Sequence, residues 1–148
     1  MRITFAVIAI ASTIALAASA AAATKAKEPP KSLYERLGGA PAVTAVVDDF
    51  VANVAADKRI NHFFASTDIP TFKKHLTEQL CAATGGGCTY TGKDMKTTHA
   101  GLGITNADWD ALVGDLGKSL VKFKVKKADQ KALVAVLAPL KPDIVEKK

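Results

Sequence analysis

The chain has 148 residues, of which 49% are hydrophobic and 23% charged, and its formal net charge is +6 at pH 7. Without its N-terminal leader, about 115 residues remain, which suffice for one domain built around one core. The basic residues are not interleaved with aromatic ones, so we expect a solvated basic face and no nucleic-acid partner.

The first 23 residues have the pattern of a secretory signal peptide. Arg2 supplies a positive charge, an apolar run follows over residues 3–18, and the small residues at 18–23 fit an A-x-A cleavage site. The run is short compared with the roughly 20 residues that span a bilayer. We therefore expect cleavage and no stable membrane anchor, with an uncleaved anchor as the alternative. The mature chain is expected to be exported, and so periplasmic or secreted.

Residues 24–32 separate this signal peptide from the folded part of the chain. They include Pro29 and Pro30 among charged neighbours, a composition typical of a disordered linker. The remaining segment, residues 33–145, is expected to form a single domain.

Apolar residues recur at helical spacing through most of this domain. Asp68 is placed to cap a helix that has Pro70 in its first turn, and Thr105 with Asp108 forms a capping-box pattern before another. Pro139 is expected to bend or end the last helix. The four apolar stripes are Val43, Val46, Val47, Phe50 and Val54; Ile69, Phe72, Leu76 and Leu80; Trp109, Leu112, Val113, Leu116 and Leu120; and Leu133, Val136, Leu137 and Leu140. Because no segment shows the sustained alternation of a strand, the sequence predicts an all-α fold.

Three histidines, His62, His75 and His99, are candidate metal ligands, because neutral imidazole binds transition metals and haem iron. The chain has no C-x-x-C-H motif for covalent c-type haem attachment, no H-E-x-x-H motif and no cysteine-pair zinc pattern. No nucleophile motif supports a hydrolase either. On spacing alone, a structural or surface role is the simpler interpretation of each histidine.

The two cysteines, Cys81 and Cys88, flank a glycine run at residues 85–87. In the oxidising environment of an exported protein such a pair tends to form a disulfide, and the glycines make the loop easy to close. We expect a bridge that ties the end of the helix capped by Asp68 to the loop leading towards His99. Two free thiols or a redox-active pair are the alternatives.

Several segments resemble the group 1 truncated haemoglobins. Residues 33–39, with the sequence LYERLGG, are similar to the opening of these proteins, and residues 90–105, YTGKDMKTTHAGLGIT, are similar to their proximal region. Residues 63–64 and 138–140 fit the same pattern. The resemblance therefore extends over residues 33–145, essentially the whole domain.

The resemblance implies a two-over-two helical sandwich that holds a non-covalent b-type haem. His99 falls at the position of the proximal iron ligand, and Phe64 at a position that packs on the haem face. Further haem-wall positions are matched by Met95, Leu102, Ile104 and Leu112, which equally suit a plain core. An apolar wall is what a large flat porphyrin requires for burial.

The distal side departs from the better-known members of that family. They often place a tyrosine after the phenylalanine of the second helix and a glutamine on the distal helix. Here Phe50 is followed by Val51, and Leu76 stands at the glutamine position, with Phe72 and Leu80 nearby. Because none of these side chains donates a hydrogen bond, we expect bound oxygen to be released faster than in those relatives.

Two polar residues of the distal helix bear on this expectation. Gln79 either reaches into the pocket or lies on its flank. His75 borders the apolar stripe, and a histidine at the matching position becomes the sixth iron ligand in some relatives; the alternative is a residue of the pocket rim. His62 has no matching role and is expected at the surface or in a contact between helices.

The leading interpretation is a haem protein that binds diatomic gases such as oxygen, NO or CO, as a carrier or sensor. A second is an enzyme that converts NO, or one with peroxidase-like activity, although the apolar distal residues argue against an enzyme that must hold oxygen. A third is an electron-transfer protein with an unidentified redox partner, which requires that His75 and His99 both bind iron.

Overall fold

The computed structural model describes residues 28–147, so the predicted signal peptide, residues 1–23, lies outside the described residues. Residues 28–31 of the predicted linker contain no helix or strand. The α-helices of the described part are α1 (Leu33–Leu37), α2 (Gly39–Ala56), α3 (Ile69–Ala83), α4 (Met95–His99), α5 (Asn106–Lys122), α6 (Lys127–Leu137) and α7 (Lys141–Ile144), with 3-10 turns at Asn61–Phe64 and Ala138–Leu140. The all-α prediction is confirmed: between residues 28 and 147 strand pairing is limited to one isolated bridge, Thr105 with Lys147.

Helix α2 lies at the centre of the fold. It packs against α3 and against α5, and α5 in turn packs against α6, while α1 contacts both α2 and α6. The α2 stripe that the periodicity predicted is buried along its whole length. Burying one aliphatic side chain of this size contributes about 1.5–3 kcal/mol. This stripe therefore supplies much of the core where α2 packs against α3 and α5.

Local capping explains where the helices begin. The Asp68 carboxylate accepts a hydrogen bond from the Thr71 N–H at 2.8 Å, and Thr105 and Asp108 satisfy each other's backbone amides at the start of α5. Near the C-terminus, α6 ends at Leu137, and a 3-10 turn that contains Pro139 connects it to α7. These caps and breaks agree with the sequence prediction.

A buried polar network joins α2 to α5, where the sequence predicted only an apolar contact. Asp115 and Ser119 of α5 are fully buried. The Ser119 hydroxyl donates to the Asp49 carboxylate at 2.8 Å and accepts from the Asn53 amide at 2.9 Å. Hydrogen bonds from Lys122 and Ser119 lower the pKa of Asp49, so the carboxylate stays ionised and holds the network at neutral pH.

The structure joins Cys81 and Cys88, the pairing that the sequence predicted, with the two Cα atoms 5.6 Å apart. Cys81 is buried in α3, whereas Cys88 is exposed in the following loop. Between them, a Cβ added to Gly86 would lie 2.5 Å from the Cys81 Sγ atom and 2.8 Å from the Tyr34 ring. The bridge and the tight approach of Gly86 together fix the end of α3 to the loop that leads to α4.

Loss of this disulfide is expected to lower the free energy of unfolding by about 2.5 kcal/mol, because the unfolded chain regains the entropy of a short closed loop. Chemical denaturation of Cys88→Ser against the oxidised protein measures the difference. The substitution is placed at Cys88 because that side chain is exposed and leaves no core cavity. Reduced wild-type protein should match the variant; a variant as stable as the oxidised protein would contradict the prediction.

Candidate functional site

A cavity of about 330 Å³ opens between α2, α3, α4 and α5, and residues of the last turns of the chain close it. Its apolar lining consists of Val47, Phe50, Phe64, Phe72, Leu76, Leu80, Met95, Trp109, Leu112, Val113, Leu116, Leu137, Leu140 and Ile144. Its polar lining consists of His75, Gln79, Tyr90, Lys93, Thr98 and His99. An apolar cavity with a few placed polar groups is the ordinary form of a cofactor site. The cavity also explains why Phe72 and Leu76, which lie on a predicted apolar stripe, are only half-buried.

A second cavity of about 170 Å³ adjoins the first. The two share the lining residues Phe64, Phe72, Thr98, His99, Trp109, Leu112 and Ile144. Leu102 and Ile104, which were predicted as haem-wall residues, line this smaller cavity and not the larger one. Leu102 is 43% exposed, so part of the predicted wall faces solvent. His99 lies where the two cavities meet.

His99 is the last residue of the short helix α4, which the Asp94 carboxylate caps by accepting from the Thr97 N–H at 2.8 Å. The His99 Nδ1 atom lies 2.7 Å from the carbonyl oxygen of Met95. When Nδ1 carries the proton and donates it to that carbonyl, Nε2 keeps its lone pair and the ring is held in one orientation. Metal-binding histidines are usually held in this way.

These features fit a haem. The cavity offers two apolar walls, formed by α3 and α5, and an oriented imidazole between them. The rings of Phe64 and Phe72 pack 5.3 Å apart at one end of the cavity, which gives a flat aromatic ligand a surface to stack on. The donor set, a single imidazole among apolar side chains, matches one axial ligand of a porphyrin iron.

Helix α3 supplies the wall that the sequence assigned to the distal side. Phe72, His75, Leu76, Gln79 and Leu80 all line the larger cavity. The imidazole of His75 meets the Tyr90 ring edge-on with the centroids 6.1 Å apart. His75 is thus brought to the same cavity as His99, as both alternatives for this residue require.

Gln79 takes part in a contact that crosses the cavity. Its Nε2 atom lies 3.3 Å from the Sδ atom of Met95, and both residues line the cavity. A thioether is a weak acceptor. The Gln79 amide would therefore donate to a stronger acceptor placed in the cavity.

The structure places Val51 and His62 away from both cavities. Val51, which was assigned to the distal pocket, is 6% exposed and packs in the core beside Phe50. Of these two adjacent residues, both of which were assigned to the distal pocket, Phe50 lines the cavity and Val51 packs in the core. His62 is exposed and packs on the ring of Phe63 with the centroids 4.1 Å apart.

Sequence reasoning missed three polar residues of the cavity: Thr98 on α4, and Tyr90 and Lys93 in the loop between α3 and α4. The Tyr90 hydroxyl donates to the Lys93 carbonyl oxygen at 2.7 Å. Burial, together with the Glu78 and Asp94 carboxylates, raises the pKa of Tyr90, which therefore stays a neutral donor. No periodicity marks a loop residue as cavity-facing, so only the resemblance of residues 90–105 drew attention to this segment.

Comparison with known proteins identifies the family of this chain. Residues 32–146 match the family described as bacterial-like globin. The group 1 truncated haemoglobin GlbN of Mycolicibacterium paratuberculosis is 36% identical over 118 residues, which cover 80% of this chain and 87% of that protein. The group 1 truncated haemoglobin of Tetrahymena pyriformis is 34% identical over 118 residues, which cover 80% of this chain and 98% of that protein.

Solved structures give the same result. The crystal structure of the truncated haemoglobin from Tetrahymena pyriformis in its Fe(III) form matches with a TM-score of 0.76 at 33% identity, covering 79% of this chain and 100% of that one. The 2/2 haemoglobin from Synechococcus, solved with covalently attached haem, matches with a TM-score of 0.73 at 31% identity, covering 78% and 98%. The chain therefore belongs to the group 1 truncated haemoglobins and has their two-over-two helical globin fold.

Proposed function

We propose that the larger cavity holds a non-covalent b-type haem with His99 as the proximal ligand, and that the protein binds diatomic gases such as oxygen, NO or CO there. The observation that carries this proposal is the 2.7 Å contact between the His99 Nδ1 atom and the Met95 carbonyl, which leaves Nε2 available as a ligand. When bound, the haem would supply an iron atom that can take up the gas.

The remaining lining residues bury the haem and fix its orientation. The apolar side chains of α3 and α5 exclude water from the haem faces. Among residues 28–147, Lys93 is the one lysine or arginine that lines the cavity, so we assign it to the haem carboxylates. An ammonium pairs with a carboxylate through charge-assisted hydrogen bonds.

Optical spectroscopy tests this proposal. The purified protein, reconstituted with haem and reduced, should change its spectrum on addition of CO, and the change should reverse when CO is removed by photolysis. His62→Leu is the matched control and should behave like the wild type, because His62 lines neither cavity. A reduced haem complex that is indifferent to CO would contradict gas binding.

Leu76→Gln is expected to slow the dissociation of oxygen from the ferrous protein by about tenfold to a hundredfold, because a hydrogen bond to the gas adds about 1–3 kcal/mol. Leu76 is the better position for this donor, since it lines the cavity and Val51 does not. Stopped-flow displacement of oxygen by CO measures the rate. Leu76→Met, of similar size and without a donor, should keep the wild-type rate. Equal rates in all three proteins would show that Gln79 or His75 already donates.

A second candidate function, electron transfer, is favoured by one observation: His75 lines the same cavity as His99. Two axial histidines would close the iron to gases and suit the exchange of electrons with a redox partner. A wholly low-spin resting spectrum that resists CO would favour this candidate over gas binding.

We also propose that residues 1–23 are a cleaved signal peptide and that the protein is exported to a periplasm or secreted. The Cys81–Cys88 disulfide supports this proposal, since structural disulfides persist in oxidising compartments. Mass spectrometry of the protein from separated cell fractions should find a shortened N-terminus together with an intact bridge. Full-length protein with free thiols, retained in the cytoplasm, would contradict export.

A further inference from the structure

The segment after α7 carries a carboxylate that is bound by the turn following His99. The Oε1 atom of Glu146 accepts the N–H of Gly101 at 2.6 Å, and its Oε2 atom accepts the N–H of Gly103 at 2.5 Å. Each carboxylate oxygen thus receives one backbone donor. The two ends of this contact are more than forty residues apart in the chain, so it is a tertiary clasp and not a local turn.

The conformation of the turn is what makes both donors available. Gly101 and Gly103 have φ values of +80° and +67°, in the left-handed region that favours glycine. In this conformation the Gly101 and Gly103 amides point towards the same carboxylate, while the Leu102 N–H between them donates to the His99 carbonyl. Amides that converge in this way form a concave site for an anion. The two N–H groups lower the pKa of Glu146, so the carboxylate is ionised when it fills this site.

The backbone of the same segment adds a second set of contacts. The N–H groups of Glu146 and Lys147 both donate to the carbonyl oxygen of Ile104, at 2.9 and 3.0 Å. An isolated bridge pairs Lys147 with Thr105. The turn from Gly101 to Thr105 is therefore fixed to the C-terminal segment through its amides and through a carbonyl.

The turn begins at the proposed iron ligand. The Leu102 N–H donates to the His99 carbonyl oxygen at 3.2 Å, so the residue between the two clasped glycines shares one hydrogen-bonded turn with the ligand. Ile144, two residues before Glu146, lines both cavities together with His99. The C-terminal segment thus contacts residues of the site both before and after Glu146, through Ile144 and through the Lys147 backbone that bonds Ile104.

We propose that Glu146 is a positioning residue for His99: its carboxylate clasps the Gly101–Gly103 turn and so holds α4 and the proximal imidazole in place. The inference rests on the proposed role of His99 as the iron ligand. The turn is also held by the backbone contacts of Ile104 and Thr105 with the C-terminal segment. Its first residues, Gly101 and Leu102, are open to solvent, and there the Glu146 carboxylate supplies the contact to that segment. Helix α4 is only five residues long and packs against α7, so the clasp reinforces the anchoring of its His99 end.

Two variants and one control test the proposal. Glu146→Gln keeps the size of the side chain but replaces one acceptor oxygen by a donor, and Glu146→Ala removes both acceptors. Asp143→Asn, which neutralises a carboxylate on α7 three residues before Glu146, is the matched control. Circular dichroism checks that every variant is folded.

The first measurement is amide hydrogen exchange in the haem-free protein. Exchange at Gly101 and Gly103 should be about tenfold faster in both Glu146 variants, since hydrogen bonds to a charged acceptor are lost. The second is the iron–histidine stretching band of the ferrous haem complex by resonance Raman. That band should shift or broaden in the Glu146 variants, and haem should dissociate about tenfold faster, while Asp143→Asn matches the wild type.

Either of two results would overturn this inference and leave the proposed function intact. One is unchanged exchange at both glycines, and the other is faster exchange with an unchanged iron–histidine band and an unchanged rate of haem loss. Absence of the iron–histidine band in the wild type would instead overturn the proposed function, and this inference with it.

Discussion

Replacement of His99 by alanine is expected to accelerate haem dissociation by more than about 100-fold. Loss of a residue that only orients a metal ligand lowers metal affinity by about 10- to 100-fold, and loss of the ligand itself should have a larger effect. The apolar walls of the cavity remain in this variant, because none of them depends on the imidazole. They bury a porphyrin but supply no bond to its iron. The haem that stays bound should lack the spectrum of a histidine-ligated ferrous iron.

Transfer of haem to an excess of a high-affinity apoglobin measures the dissociation rate. His62→Ala is the matched control, because His62 is exposed and stacks only on Phe63, and it should lose haem at the wild-type rate. Added imidazole should restore part of the ferrous spectrum in His99→Ala by occupying the vacated position. Haem retention and a ferrous spectrum equal to those of the wild type would exclude His99 as the ligand.

Replacement of His75 by leucine is expected to abolish a low-spin, bis-histidine fraction and to speed CO binding. His75 lines the cavity that contains His99, and its imidazole is free to compete with a gas for the iron. If about one-tenth of the wild-type protein is open, removal of the competitor accelerates binding about tenfold. Binding of His75 to the iron would require α3 to move inward, and we expect the disulfide at the end of this helix to oppose that motion, which predicts a mixture and not a fully closed state.

Resting optical spectra measure the low-spin fraction, and CO rebinding after flash photolysis measures the rate of CO binding. His62→Leu, which changes a histidine outside the cavity, should leave both unchanged. If the wild type is wholly high-spin and His75→Leu alters neither spectrum nor rebinding, His75 is a residue of the pocket rim.

The parts of this molecule that follow local rules could be predicted from the sequence. The buried stripe of α2 repeats at helical spacing, and Asp68 and Thr105 cap α3 and α5 within four residues of their own position. Cys81 and Cys88 are close in the chain, so their pairing required no knowledge of the fold. In each case the interacting groups lie within about two helical turns of each other.

The parts that depend on distant residues could not be predicted. The buried Ser119 hydroxyl bonds Asp49 and Asn53, more than sixty residues earlier, and Asn53 also donates to the backbone carbonyl of the buried Asp115. The family resemblance placed Val51 in the distal pocket, but a matching position cannot distinguish a side chain that faces a cavity from one that faces the core. Both environments are apolar, and only the packing of neighbouring helices separates them.

The same limit applies to the proximal turn. The glycines after His99 were visible as a cluster, and their resemblance to a known proximal region marked His99 itself. The carboxylate of Glu146 that binds those glycines lies near the end of the chain, and no local signal connects the two.

The most direct test of haem binding in this cavity is a titration of the haem-free protein with haemin, followed by the resonance Raman spectrum of the reduced complex. Absorbance in the Soret region should rise linearly and saturate at one haem per chain, and the reduced complex should show an iron–histidine band that His99→Ala removes. Absorbance that never saturates, or a band that persists without His99, would contradict haem ligation by this residue.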